Sequence, residues 1–305
     1  MSAFRTIVPP IKCQGIKTKL VPWIKSIVPA ESKGLWVEPF MGSGVVAFNV
    51  RPRRALLADT NPHLINFYTA IRDGEITPSI AKGFLEKEGA MLLASGGEHF
   101  YTVRKRFNEN GAPLDFLFLN RACFNGMIRF NRKGGFNVPF CRKPNRFAQA
   151  YITKITNQIQ AVSDAMKIGE YDFVCQSFAE TIAEAGSQDW IYCDPPYIER
   201  HADYFNGWIE EHENELEKSL AATPAKVILS TWHSNDYRTN TFIESLWSDY
   251  HMLTREHFYH VGAKEVNRNP MLEALLTNFK TQIPVPMNKE PVQLQLLEEA
   301  KKYKA

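Results

Sequence analysis

No sheet strand runs through two consecutive prolines, because proline lacks the amide donor of the ladder and its φ is fixed. The apolar run Trp190-Ile191-Tyr192-Cys193 leads directly into Asp194-Pro195-Pro196-Tyr197. A strand here must end at about Cys193 and present an acid, backbone carbonyls and an aromatic ring at its carboxyl end. A rigid polar rim beside a flat stacking surface suits a planar, hydrogen-bonding ligand such as a nucleobase. Taken alone, these residues read equally well as a strand followed by a plain turn, and the rest of the chain decides between the two.

Upstream, Ile11-Lys12-Cys13-Gln14-Gly15-Ile16-Lys17 precedes Val21, Ile24, Ile27 and Val28 at helical spacing. A helix amino terminus favours anions through its free amides, so Lys17 can hold a ligand carboxylate; three lysines in a surface loop are equally ordinary. Gly34 to Glu38 then reads as a strand, followed by Pro39-Phe40-Met41-Gly42-Ser43-Gly44 and a helix through Val45, Val46, Phe48 and Val50. Gly42 and Gly44 remove side chains where a backbone must approach a ligand closely, although the third glycine of the dinucleotide fingerprint is missing. A second strand, Ala55 to Ala58, ends at Asp59, and Asn61-Pro62 opens a helix through Ile71. An acid in that place hydrogen-bonds a nucleoside ribose in folds of this kind.

From Asp73 to about Gly169 the strand-helix rhythm breaks down, and residues 78 to 119 read as helices. Between Tyr101 and Phe147 ten basic residues face two acids, a local charge of +8 that leaves −5 for the remainder. Such an asymmetry suits a polyphosphate partner better than the total of +3 would indicate. Within it, Leu119 to Phe140 interleaves amides, arginines, aromatics and glycines, a mixture that contacts phosphates and base edges, with Met127 able to wedge into an unstacked step. The same stretch reads as a twisted hairpin with its turn at Gly134-Gly135, and both readings can hold together.

Beyond it, Tyr171 to Cys175 is expected to return as a strand with Gln176-Ser177-Phe178 as its exposed end. Ile198 to Gly207 is a polar aromatic loop, Trp208 to Leu220 an acid-rich helix, and Lys226 to Ser230 a buried strand. Tyr237 to Trp247 reads as a helix, and His251 to His260 and Met271 to Phe279 as the last two strands. A linker marked by Pro284 and Pro286 leads to a helix over Val292 to Tyr303.

A chain of 305 residues, 44% hydrophobic, can bury a full core. It shows no apolar run of about 18 residues and no signal peptide at Met1 to Pro10, so a soluble intracellular protein without a membrane partner is expected. Five scattered cysteines, Cys13, Cys123, Cys141, Cys175 and Cys193, lack the close pairing of a zinc or redox site; reduced thiols and no metal are expected.

The lysine loop, Phe40-x-Gly42-x-Gly44, Asp59 and Asp194-Pro195-Pro196-Tyr197 stand in a fixed order. With Leu119-Asn120-Arg121, Phe124-Asn125-Gly126 and Phe136 to Phe140, the chain from about Ile11 to Phe279 resembles the Dam-like, α-group (D12 class) DNA adenine methyltransferases. The resemblance implies an α/β fold, a doubly wound, mostly parallel sheet that binds S-adenosylmethionine, with a helical and hairpin target-recognition insertion. It implies a catalytic core over 1–72 plus 170–283, an insertion over 73–169 and a tail over 284–305.

By the same resemblance Lys17, Glu38, Phe40, Gly42 and Gly44 surround the methionine part of the cofactor, Asp59 holds its ribose, Ser177 and Phe178 flank its adenine, and Cys13 also falls to the cofactor site. Asp194, Pro195, Pro196 and Tyr197 form the catalytic set, Asp194 lying between cofactor and substrate. Arg121, Phe124, Asn125, Met127, Arg129, Arg132, Lys133, Pro139, Arg142 and Lys143 fall to the DNA face. Cys13 stands where many relatives carry a tryptophan, and Lys143 replaces an aromatic or other residue common near the end of the recognition hairpin.

The implied activity is methyl transfer to the N6 amine of a flipped adenine in duplex DNA, by a bacterial or phage protein of the cytoplasm, nucleoid-associated and monomeric. A cognate restriction endonuclease is a partner the resemblance leaves open. The rival readings are a catalytically silent DNA-binding regulator, which a turnover assay separates, and a methyltransferase for RNA or a protein amide, which competition by RNA at equal salt separates.

Overall fold

The computed structural model describes residues 5–29, 33–198, 208–235, 237–258 and 270–281. The expected loop after Ile198, the end of the strand at His260 and the tail over 284–305 lie outside the described residues. Among those described, seven strands make one sheet: β1 (Trp36–Glu38), β2 (Arg54–Ala58), β3 (Glu170–Val174), β4 (Trp190–Cys193), β5 (Lys226–Ser234), β6 (His251–Phe258) and β7 (Pro270–Thr277). Their spatial order is β3-β2-β1-β4-β5-β7-β6, parallel from β3 through β5, with β7 antiparallel to both β5 and β6. The chain steps outward from β1 to β3 on one side and returns as β4 on the other. That reversal opens a crevice at the carboxyl ends of β1 and β4, where open sheets of this class bind ligands.

Both faces of the sheet are covered, which explains why β4 reads as an unbroken apolar run rather than an alternation. Trp190 and Tyr192 point into one hydrophobic cluster, Ile191 and Cys193 into the other. The first cluster continues through α1 (Val21–Ile27), α3 (Pro62–Arg72), α4 (Pro78–Ala94), α5 (His99–Asn110), α6 (Pro113–Ala122) and α7 (Gln149–Met166), with α2 (Ala47–Val50) beside it. The second packs against α8 (Phe178–Ala183), α9 (Glu210–Ala222) and α10 (Phe242–Ser245). Local chemistry sets several boundaries: Asn61 caps α3 by accepting from the His63 amide, Thr77 caps α4 in the same way, and Gly111 ends α5 at φ +67°.

Three elements differ from expectation. The hairpin between Leu119 and Phe140 is reduced to two isolated bridges, Cys123 with Phe140 and Phe130 with Phe136. Asn125 and Gly126 take left-handed φ of +54° and +69° and curl the chain into a 3-10 turn, and Pro139 has no amide to extend a ladder. The turn itself closes between Asn131 and Gly135, whose backbone groups bond at 2.8 Å. The helix from Tyr237 shrinks to α10, because the Asn235 side chain accepts the Tyr237 and Arg238 amides and holds a turn, and the Asn240 side chain then accepts the Phe242 amide. Gln176-Ser177-Phe178 is not a bare strand end: Ser177 caps α8 in a reciprocal capping box with Glu180, and Phe178 is already helical.

Candidate active site

β4 delivers Asp194 to the crevice beside β1, and the acid arrives paired. Lys17 Nζ donates to Asp194 Oδ1 at 2.7 Å, the lysine side chain being 4% and the aspartate 22% exposed. The sequence places Lys17 at a helix entrance as a holder of ligand carboxylates; the structure brings its ammonium onto a carboxylate of the chain itself. The same ammonium lies 4.6 Å from the centroid of the Tyr197 ring, and the Tyr197 hydroxyl donates to Glu273 Oε2 at 2.6 Å. Burial pushes the Asp194 carboxyl up, the Lys17 charge and hydrogen bond draw it back, and Glu273 adds to the rise. Just beyond the prolines the chain is tied down by Trp232, whose indole donates to the Ile198 carbonyl at 3.2 Å.

The glycine turn forms the adjoining wall. Gly42 and Gly44 hold φ of +47° and +68°, values that a side chain resists. The Gly42 amide donates to Asp59 Oδ2 at 3.0 Å and the Asn61 amide to Oδ1 at 2.9 Å, so the acid at the end of β2 braces the turn after β1. A methyl added at Gly42 would meet nothing within 4 Å, which leaves open space over the turn, whereas at Gly44 it would strike the Phe48 ring. Burial raises the Asp59 carboxyl, opposed by those two amides. Glu38 is buried and accepts from the Trp36 indole at 2.8 Å; burial drives its carboxyl up to about 8, with the indole opposing and Asp194 adding to the rise. Half-buried Cys13 lies near Asp59, and burial pushes its thiol up, with that acid adding to the rise.

Phe40 and Phe178 stack at 5.4 Å between centroids, and Trp208 meets Phe40 edge-on at 5.5 Å and Phe178 at 5.7 Å. Glu213 fixes Trp208 from behind by accepting its indole and that of Trp247, one on each oxygen. Sequence reading finds Phe40 and Phe178 but misses Trp208, Glu213 and Glu273. A lone acid inside the otherwise apolar run Met271 to Leu276 is the signal that points to Glu273.

The basic stretch divides in two. Phe124 is 52% exposed; Asn125, Arg132, Lys133, Pro139, Arg142 and Lys143 are exposed; Met127 and Arg129 are half-buried, the latter donating to Asn137 Oδ1 at 2.9 Å. The Phe124 amide bonds to the Pro139 carbonyl at 2.9 Å, which sets these two side by side. Arg121 departs from the expected DNA face. It is 3% exposed, donates to the Pro10 carbonyl at 2.9 Å and lies 4.8 Å from the Tyr151 ring centroid, so it is an internal clamp. Its neighbour Asn120 joins the two halves of the site: its side chain exchanges hydrogen bonds with both backbone groups of Lys12, at 2.8 and 2.9 Å, and donates to the Gly126 carbonyl at 3.2 Å.

Comparison with known proteins places this geometry in a family. The chain is 38% identical over 195 residues to the DNA adenine methylase of Vibrio cholerae, a match covering 61% of this chain and 64% of that relative. It is 33% identical over 196 residues to the DNA adenine methylase of Haemophilus influenzae, covering 62% and 63%, and 32% identical over 219 residues to the retron Ec67 DNA adenine methylase of Escherichia coli, covering 69% and 71%. The chain thus spans a little under two thirds of the length of the first two relatives. The family model described as D12 class N6 adenine-specific DNA methyltransferase matches residues 14–261, which take in Lys17 at the end of the lysine loop, the glycine turn, the basic insertion and the Asp194 to Tyr197 strand end. The chain belongs to the D12 class N6 adenine-specific DNA methyltransferase family.

Proposed function

We propose that this chain transfers a methyl group from S-adenosylmethionine to the exocyclic N6 amine of an adenine extruded from duplex DNA. The observation that carries the reading is the clustering, at the sheet's reversal point, of Asp194, the Pro195-Pro196 strand end and Tyr197 beside an open glycine turn braced by Asp59. The residues fit the cofactor. Open space over Gly42 leaves room for its main body, Asp59 stands at the end of β2 for a ribose, buried Glu38 would be ionised by an ammonium group set beside it, and Phe40, Phe178 and Trp208 offer flat apolar surface to an adenine. When bound, the cofactor supplies a methyl group activated by a sulfonium.

The chain's own residues must make a poor nucleophile attack. The lone pair of the adenine amine is delocalised into its ring, and hydrogen bonds from both amine hydrogens localise it on nitrogen. We assign one to Asp194 Oδ2, since Oδ1 takes Lys17, and the other to the Pro195 carbonyl, which the double proline keeps out of the sheet ladder. Fixed acceptors in a water-poor site also stabilise the positive charge that arrives on the amine. Extrusion costs a few kcal/mol, and stacking on Tyr197 offsets about 1 to 3 kcal/mol of it.

Duplex DNA would lie across the exposed Phe124, Asn125, Arg132, Lys133, Pro139, Arg142 and Lys143, within the insertion we place at 73–169. Exposed cations there contact phosphates, and Phe124 beside Pro139 is shaped to wedge into the gap left by the flipped base. We infer a monomer working in the bacterial or phage-infected cytoplasm; no described helix is long and apolar enough to cross a membrane. A cognate restriction endonuclease, as the partner such a modification would serve, is tested by digesting DNA from expressing cells.

Asp194→Ala is expected to retain DNA binding and lose transfer by about a thousandfold or more, as removal of a principal electrostatic group does. The assay uses radiolabelled cofactor and mixed-sequence duplex. Turnover near that of the unmodified protein would overturn the mechanism. Single-molecule sequencing of DNA from expressing cells reads the modified base and its target site together.

A further inference from the structure

We propose that Glu273, an acid buried inside β7, is a positioning residue for the transfer step: it fixes the Tyr197 ring through the phenol, beside the Lys17–Asp194 pair. The inference rests on the function proposed above and adds a member to the same site.

Glu273 occupies the centre of an antiparallel strand, opposite Trp232 of β5 and Arg255 of β6. It is 0% exposed, while its neighbours in β7, Ala274, Leu275 and Leu276, are core residues. An ionisable side chain at such a position is costly unless it is hydrogen-bonded, and an apolar residue of similar size would incur no such cost. By the alternation of the strand it shares a face with Leu275, which packs into the same cluster as Trp36, Tyr192 and Ile228. That is the face from which Tyr197 reaches Glu273 Oε2 at 2.6 Å.

Two consequences follow from this contact. The first is mechanical. Tyr197 follows two prolines, with Ile198 held by Trp232, so the backbone is set, but its ring needs an anchor at the far end to keep one plane. Glu273 is that anchor, and Lys17 lies over the ring 4.6 Å from its centroid. The second is electrostatic, and it reaches the Lys17–Asp194 pair, whose charged atoms lie 2.7 Å apart. Glu273 acts on Asp194 at a distance, since it contributes to the upward push on that carboxyl.

The test compares the full chain with Glu273→Gln, Glu273→Leu, Tyr197→Phe and the double variant Tyr197→Phe/Glu273→Gln. Thermal unfolding, cofactor affinity by calorimetry, DNA affinity, and single-turnover transfer with both substrates saturating are measured for each. Once the target site is known, 2-aminopurine emission at the target adenine reports the flipped, stacked base. Glu273→Gln is expected to slow transfer about a hundredfold and Tyr197→Phe about tenfold. The double variant should be no slower than Glu273→Gln within about threefold, because both act through one contact. Affinities should stay within about twofold, and 2-aminopurine emission should fall in all variants.

Glu273→Leu is expected to melt higher than the parent and still fail in transfer, a combination that a purely structural acid would not produce. Glu273→Gln with the parent's transfer rate, or a loss that tracks unfolding alone, overturns the inference while leaving the function standing. Absence of transfer by the parent protein overturns the function and this inference with it.

Discussion

The sheet's carboxyl edge and the basic segment over 124–143 handle charge in opposite ways. At the edge, Lys17 lies against Asp194 and the Tyr197 ring, the Tyr197 hydroxyl bonds to Glu273, and each charged group has a partner. In the segment, Arg132, Lys133, Arg142 and Lys143 stand in solvent and form no ion pair among the described residues. Buried charges hold a geometry because separating them is costly; exposed ones hold no geometry of their own and serve a partner that brings the opposite charge. Arg121 and Arg132 make the contrast within one stretch: the first is committed to Pro10 and Tyr151, the second to nothing in the chain that is described.

That contrast can be broken or sharpened by substitution. Lys17→Met leaves Asp194 buried without its cation, and should lower transfer by about 100- to 1,000-fold and stability by about 3 kcal/mol, read by single-turnover assay and chemical unfolding. Glu38→Gln acts on pH dependence. Because the folded carboxyl sits at about 8 against an unfolded value of 4.5, the native chain retains a proton that the unfolded chain has released. Stability should therefore fall as pH rises from 4.5 to 8, and the Gln variant should flatten that slope in urea unfolding at pH 5.5 and 8.5.

Smaller effects are expected from the basic stretch. Arg121→Ala should cost about 2 kcal/mol in unfolding and leave the salt dependence of DNA binding unchanged, since the lost bonds are internal. Arg132→Ala and Lys133→Ala should each reduce the slope of log affinity against log salt by about 1 while shifting stability by about 0.5 kcal/mol or less. Equal salt slopes for Arg121→Ala and Arg132→Ala would erase the proposed division.

The same division explains what was legible in the sequence. The Pro195-Pro196 strand end, the glycine turn and Asp59 could be read because backbone rules act within a few residues. Arg121 could not, because a base amid bases reads as surface, and its burial depends on a carbonyl 111 positions away. Glu273 stands out as a lone acid in the apolar run of β7, but its partner cannot be read there, because Tyr197 lies 76 positions away. The shortened α10 lost its first turn to Asn235 and Asn240, whose side chains compete for amides that a periodicity of apolar residues cannot see. The aromatic corner of Phe40, Phe178 and Trp208 draws on three segments far apart in the chain, so no window of sequence contains it.

Lys17 and Asp194 are separated by 177 positions, and the Lys12 loop is held by Asn120 from 108 positions away. Synthesis proceeds at about 5 to 20 residues per second, so the lysine loop waits roughly 10 to 35 s before its carboxylate emerges from the ribosome. Until then the glycine turn and Asp59 can form, but the charge pair at the heart of the site cannot. A nascent or prematurely ended chain that stops short of Asp194 therefore carries the basic segment without the charge pair, which arrives only with the second half of the sheet.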